Sequence, residues 1–218
     1  MLKIAENHFV NGNKVKPPYP NNHDSLIVGM GCFWGAERMF WQQEGVYSTS
    51  VGYAAGKTID PTYREVCSGT TDHAEVVLVV YDTDITTLDS LLSIFWEGHD
   101  PTQFMRQGND VGSQYRSIIF YDNDEMYEKI ECSRDQYQKE LSNVGYGNGS
   151  YTQSVSGANG KVFEYVGYGL GDYEPFEILA TPKRLNTANF GFSITDENRK
   201  MGLEYVISSM DKNTKKFW

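Results

Sequence analysis

Gly31 to Phe40 reads GCFWGAERMF, and this stretch decides how the chain around it folds. An apolar run before it, Leu26-Ile27-Val28, ends in Gly29-Met30-Gly31. After it, Phe33, Ala36, Glu37, Arg38, Met39, Phe40 and Trp41 make a helical pattern. The glycines allow a sharp turn. The stretch therefore predicts strand, tight turn and helix, with Cys32 at the helix start. Unpaired N–H groups and the positive end of the helix dipole converge there. That setting favours thiolate and can bring a cysteine pKa from about 8.5 down to about 3.5–7.5. The competing reading is a structural cysteine buried beside two core aromatics. Glycines on both sides favour the reactive reading, because a core filler has no need of backbone access.

Outward from this turn, the first strand is Ser25 to Met30, and Phe33 to Glu44 is a helix stopped by Gly45. Val46 to Tyr53 alternates and is rich in β-branched residues, as a strand should be. Pro61 to Cys67 predicts a short helix with Asp60 as N-cap and Pro61 in its first position. Ala74 to Tyr81 is a second clear strand. Thr86 or Thr87 caps a helix whose Leu88, Leu91, Leu92, Phe95 and Trp96 follow a 3.6-residue period. Residues 101–114, PTQFMRQGNDVGSQ, read as a polar loop. Tyr115 to Tyr121 is a strand, and Asn123 to Ser142 is an amphipathic helix with Met126, Ile130 and Tyr137 on one side. The order β-α-β-β-α-β over residues 25–122 is the split βαβ pattern. It predicts an α+β, two-layer sandwich with a ferredoxin-like core.

The domain reading has three parts. Residues 1–24 are an irregular arm, since Lys16-Pro17-Pro18-Tyr19-Pro20 forbids helix. Residues 25–143 are the catalytic core, and 144–218 are a C-terminal extension packed on the same domain. In the extension, Lys161 to Val166 and Pro175 to Ala180 read as strands, Thr195 to Met210 as a capped helix, and Lys212 to Trp218 as a basic tail.

Composition narrows the function. The 218 residues carry 19 Lys+Arg against 29 Asp+Glu, a net charge of −10, which argues against nucleic acid or an anionic membrane as partner. A chain of this size buries roughly 70% of its unfolded surface and needs no staples. The three cysteines, Cys32, Cys67 and Cys132, are too few and scattered for a disulfide framework, and no Cys-x-x-Cys pair is present. Cys67, behind a short apolar stretch, reads as a buried thiol. No run is long enough to cross a bilayer, and no secretory h-region is visible, so a reducing cytoplasm is expected.

Four groups of residues carry the chemistry. They are Gly31-Cys32-Phe33-Trp34-Gly35, the run Pro61 to Cys67, His73-Ala74-Glu75, and Met105 to Arg116, MRQGNDVGSQYR. Read singly, each has a plain structural alternative. Phe33 and Trp34 could be core, Tyr63 and Tyr115 packing residues, and Glu75 an exposed strand-edge acid. Asp110 could be a turn former, and His73 reads as a turn residue. Read together and in order, they resemble the A-type peptide methionine sulfoxide reductases, which are specific for the S epimer of the sulfoxide.

The resemblance implies an α+β sandwich and a role for each matching residue. Cys32 would be the nucleophile and Glu75 the acid. Tyr63 and Tyr115 would bind the sulfoxide oxygen. Phe33 and Trp34 would enclose the substrate methyl group, with Asp110 in the same pocket. These residue types suit the task. Thiolate attack on a sulfoxide sulfur piles charge on oxygen, and a carboxylic acid can protonate it at neutral pH only if its pKa is raised. Two phenols can stabilise that charge without ionising. The implied product is methionine, with Cys32 left as sulfenic acid. The implied role is repair of oxidised proteins, or of free methionine sulfoxide, by a cytoplasmic monomer that binds no cofactor or metal. The family's Gly-rich tail cysteines have no match after Cys132. Regeneration is therefore expected from an external thiol: glutathione, glutaredoxin or thioredoxin. A redox sensor built on Cys32, or a module that only binds oxidised methionine, are the alternatives in other functional classes.

Overall fold

The computed structural model describes residues 6–58, 61–103 and 105–143, and beyond them the backbone of three strands. The elements run β1 (His23–Met30), α1 (Phe33–Trp41), β2 (Val46–Ala54), α2 (Tyr63–Cys67), β3 (Ala74–Asp82), α3 (Leu88–Gly98), β4 (Arg106–Gln107) and β5 (Asp110–Val111). A 3-10 turn (Ser113–Tyr115), β6 (Ser117–Tyr121) and α4 (Asp124–Asn143) follow. Last come β7 (Ser150–Ser156), β8 (Val162–Tyr168) and β9 (Glu177–Ala180).

The main sheet has the order β2-β3-β1-β6-β9. The first four strands are antiparallel throughout, and β9 joins β6 in parallel. A separate hairpin pairs β7 with β8. Alternation sorts the side chains between two faces. Leu26, Val28, Val51, Val77, Val79 and Ile119 meet Phe40, Leu91, Leu92, Phe95 and Ile130 of the helices in the main core. Ile27, Ala74, Val76, Ile118 and Phe120 form a smaller cluster on the other face.

Several expectations shift by a turn or a residue. The first helix ends at Trp41 rather than Glu44, with Gln42 closing it onto the Phe40 carbonyl. The short helix starts at Tyr63, and Pro61 is not helical. Its N-cap is Thr62, whose hydroxyl accepts from Glu65 N at 3.3 Å while the Glu65 carboxylate accepts from Thr62 N at 2.7 Å. That reciprocal box satisfies two orphan donors, which a cap at Asp60 could not do for this register. Asp60 itself lies outside the described residues. Of the two threonines, Thr87 caps α3. The polar loop contains the β4–β5 hairpin, and Tyr115 sits in the 3-10 turn rather than in the strand. On α4, Met126 and Ile130 are buried as expected, and Tyr137 stacks on Trp96 with centroids 5.2 Å apart. The strand Ser150–Ser156 was not expected, while the other two C-terminal strands fall close to their predicted places. The Thr195–Met210 helix and the basic tail lie outside the described residues.

The arm is irregular but docked. His8 packs edge-on against Trp41, and its Nε2 is 2.8 Å from Thr49 Oγ1, which in turn donates to Glu37 Oε1 at 2.9 Å. Asn11 and Asn13 side chains both donate to the Tyr47 carbonyl. At the opposite end of the molecule's core, His99 pins α3 to β6. Its Nδ1 reaches the Phe95 carbonyl at 2.7 Å, so that nitrogen carries the proton, and Nε2 accepts from Ser117 Oγ at 2.8 Å. Burial holds His99 neutral, with its pKa down at about 4.

β1 passes β3 and β6 most closely at Gly29. A Cβ there would lie 2.6 Å from Ile118 Cγ2 and 2.9 Å from the Glu75 carbonyl oxygen. The isoleucine can move, but the carbonyl belongs to the sheet backbone. Gly29→Ala is therefore expected to lower unfolding stability by about 1–3 kcal/mol, read as a lower urea midpoint with unchanged m-value.

Candidate active site

Cys32 is the N-cap residue of α1, placed there by Gly31, whose φ of +87° is open to glycine and strained for other residues. The thiol is half-buried and makes no side-chain cap hydrogen bond, but the Trp34 and Gly35 N–H groups at the helix start favour its ionised form. The next N–H, that of Phe33, donates to Glu75 Oε2 at 3.0 Å. The helix N-terminus thus holds the thiol on one side and the carboxyl on the other.

Glu75 is not the exposed strand-edge acid of the plain reading. It lies at the start of β3 with only 3% of its surface exposed, on the same face as Val77 and Val79. Burial pushes its pKa up to about 7, against the lowering effect of the Phe33 N–H bond, and the Asp110 charge adds to the rise. Cys32 departs from the sequence expectation of a lowered pKa. Burial raises it, the Glu75 charge raises it further, and the Trp34 and Gly35 N–H groups only partly offset this, with Asp110 a smaller raising influence. The helix terminus is present but does not win, because the thiol is desolvated and faces a carboxylate. The carboxyl thus bears on the thiol: when Glu75 takes a proton, the largest charge opposing the thiolate disappears.

The other five residues expected at the site lie around this pair. Phe33 is buried, and Trp34 beside it is 42% exposed, their ring centroids 6.3 Å apart. One aromatic is thus buried and the other reaches the surface. Tyr63, on α2, is 54% exposed, hydrogen-bonded to Cys67 one turn on, and raised to about 12 chiefly by that bond. Tyr115 is raised by burial and then by the Glu75 and Asp110 charges. Both phenols therefore stay protonated as donors at any working pH. Asp110 stands exposed on β5, close enough to bear on Cys32, Glu75 and Tyr115. Cys67, expected to be buried, is exposed at the end of α2. His73, expected in a turn, is buried, and its ring fills the space over Gly56 where a Cβ would fall 2.0 Å from Nδ1.

One residue at the site was not singled out from sequence. Tyr53 pairs with Glu75 across β2 and β3 and is 1% exposed. Its ring lies 5.5 Å from that of Phe33. Burial first, and then the Glu75 charge, raises its pKa, with weaker effects from Cys67, Tyr63 and Tyr115. Its alternation with Val51 marks an inward position, but only the β2–β3 register makes it the neighbour of the acid. Among the described residues, no cluster of His, Cys, Asp and Glu has the makings of a metal site. No helix among them is long and apolar enough to cross a membrane.

The raised carboxyl has a stability consequence. Its folded pKa, about 7, is above the unfolded value of 4.5. The stability linked to it is fully present below pH 4.5 and is lost as pH rises through about 7. Glu75→Gln keeps an acceptor for Phe33 N–H and carries no charge. The variant should be more stable than wild type at pH 8 by about 2–3 kcal/mol and nearly equal to it at pH 4.5. Urea unfolding of both proteins at the two pH values checks this, and a difference that does not change with pH would contradict it.

Comparison with known proteins fits this geometry. The family model for peptide methionine sulfoxide reductase matches residues 24–154. A Nostoc sp. protein named peptide methionine sulfoxide reductase MsrA 2 is 56% identical over 146 residues, covering 67% of this chain and 66% of the relative. MsrA of Methylococcus capsulatus gives the same identity and coverage. The chain thus spans just under two thirds of the length of these relatives. Among solved structures, methionine sulfoxide reductase A of Corynebacterium diphtheriae superposes with a TM-score of 0.60 at 41% identity, over 66% of this chain and 68% of that one. Mxr1 of Saccharomyces cerevisiae in reduced form gives 0.55 at 32%, over 60% and 77%. With a family model matching well over half of its length, the chain belongs to the peptide methionine sulfoxide reductase family.

Proposed function

We propose that this chain is an oxidoreductase that reduces methionine S-sulfoxide, free or in proteins, to methionine. The observation that carries the reading is the shared helix terminus. Cys32 stands at the N-cap of that terminus, where the Trp34 and Gly35 N–H groups favour thiolate, and a carboxyl with pKa about 7 accepts from Phe33 N–H at 3.0 Å. A redox sensor needs the first of these groups and has no use for the second.

The steps follow from the charges. Protonated Glu75 leaves the thiolate unopposed by its strongest neighbour, and the N–H groups at the helix start favour its charge. Cys32 sulfur attacks the sulfoxide sulfur, and Glu75 delivers its proton to the sulfoxide oxygen. Tyr63 and Tyr115 donate to that oxygen as charge builds on it. Phe33 and Trp34 enclose the methyl group, and Asp110 holds the rest of the substrate. The oxygen passes to Cys32: thiol and sulfoxide become sulfenic acid and methionine. Two external thiols then return Cys32 to the thiol, releasing water and a disulfide. Thioredoxin, glutaredoxin and glutathione are the candidate reductants, and no bound cofactor enters.

The four antiparallel strands in the order β2-β3-β1-β6 support reading residues 25–143 as a ferredoxin-like catalytic core. Residues 1–24 then form an arm on it, and 144–218 an extension of the same domain. A cytoplasmic monomer that repairs oxidised proteins is the setting this reading implies.

The test is steady-state turnover with dithiothreitol on both sulfoxide epimers. Only the S epimer should be reduced. Cys32→Ser should abolish turnover, and full activity in that variant would sink the reading. Glu75→Gln should lose roughly 10²–10⁴-fold in rate with the fold intact. Tyr63→Phe and Tyr115→Phe should each cost less, since each phenol partly covers for the other. With one equivalent of sulfoxide and no reductant, intact mass should rise by about one oxygen, and a sulfenic-acid probe should label Cys32. A loss of about two hydrogens, with peptide mapping joining Cys32 to Cys67, would show an internal resolving thiol instead.

A further inference from the structure

The loop after α3 is held by its own side chains. Asp100 Oδ1 accepts from Thr102 N at 3.0 Å and from its hydroxyl at 2.6 Å, and Asp100 Oδ2 accepts from Gln103 Nε2 at 3.0 Å. Gln103 Oε1 accepts from Gly108 N at 2.8 Å, and Met105 O accepts from Gly112 N at 2.8 Å.

Gln107 stands apart from these local bonds because it connects three places. Its amide spends both ends on one residue: Nε2 donates to the Asp100 carbonyl at 3.0 Å, and Oε1 accepts from Asp100 N at 3.2 Å. Its backbone pairs with that of Asp110 across the β4–β5 hairpin. Its Cβ and Cγ lie 2.6 and 2.8 Å from where a Cβ on Gly31 would stand. The end of α3, the hairpin bearing Asp110 and the turn that delivers Cys32 therefore meet on one side chain. Asp110 needs such help. It is exposed on a two-residue strand, and among the described residues no hydrogen bond fixes its carboxylate.

We propose that Gln107 is a positioning residue, which sets the Asp110 hairpin in register against the Cys32 turn and thereby governs substrate binding; the second half of this statement rests on the function proposed above. Glutamine suits the place because one planar group offers a donor and an acceptor to the same peptide. Glutamate would keep the acceptor for Asp100 N and set a negative charge against the Asp100 carbonyl. Methionine would fill the volume and make neither bond. The electrostatics agree with the geometry, since the Asp110 charge contributes to the raised state of the Cys32 thiol.

The test uses full-length protein carrying Gln107→Met, Asp110→Ala, or both. The first readout is the pH profile of Cys32 alkylation by iodoacetamide, located by peptide mapping because Cys67 and Cys132 are also exposed. The midpoint should fall in Asp110→Ala, fall likewise in Gln107→Met, and fall no further in the double variant. The second readout is the split between KM and kcat for free methionine sulfoxide. Gln107→Met should raise KM as far as Asp110→Ala does, roughly tenfold, as loss of one well-placed polar contact to the substrate would, with kcat within about threefold and no added effect on top of Asp110→Ala. An unchanged midpoint, effects that add in the double variant, or a fall in kcat at constant KM would each overturn the proposal. Should Gln107→Met fail to fold, Gln107→Glu, which keeps one bond, should give an intermediate KM, and wild-type values there would overturn it equally. If wild type reduces no sulfoxide, the proposed function falls, while the alkylation profiles still decide whether Gln107 sets Asp110 against Cys32.

Discussion

The hydrogen bond from Phe33 N–H to the Glu75 carboxyl joins the two halves of this protein's chemistry. Phe33 is the first residue of α1, and Glu75 lies at the start of β3, 42 residues on. The bond is possible because β3 runs antiparallel beside β1, which ends at the turn into α1. Their close approach at Gly29 leaves no room for a side chain over the Glu75 carbonyl. The sheet thus delivers a buried carboxyl to the positive end of a helix. That end is already occupied by a thiol. Two acids thus stand at one set of donors, with burial raising both and the charge of the carboxyl raising the thiol further.

This arrangement shapes the remaining site. A helix terminus alone would give a permanently ionised and indiscriminately reactive cysteine. Burial and the facing carboxyl reverse that here, and the thiol rests above its ordinary pKa. Thiolate character is then tied to protonation of Glu75, and in the proposed reaction that same proton goes to the leaving oxygen. The phenols of Tyr63 and Tyr115 carry no charge to upset the pair. Tyr53, buried behind the acid, walls it from water on the β2 side. The aromatic pair divides between core and surface because successive residues at a helix start point about 100° apart.

Much of this was legible in the chain. The apolar runs, the glycines around Cys32 and the 3.6-residue period of α3 are local signals, and local signals set element type. They fixed every strand of the main sheet up to β6 to within a few residues, and the helices between them. The four motifs, in order, pointed to the right family, and they named residues that the fold brings near one another. Boundaries were less secure: the cap of α2 moved from Asp60 to Thr62 because the reciprocal bond with Glu65 outweighs the generic preference for aspartate before proline.

What sequence alone determined is therefore the inventory: which residues bear chemistry, and which element each sits on. Tertiary structure alone decided their state. The sign of the Cys32 shift depends on desolvation and on a carboxylate from a distant strand, and neither is written in GCFWG. The partnership of Tyr53 with Glu75 depends on β2–β3 register, and the reach of Gln107 depends on where a loop folds back onto Gly31. The physical reason is common to all three. Propensity and periodicity act over a few residues, whereas dielectric environment and charge–charge distance are properties of the space that packed elements share.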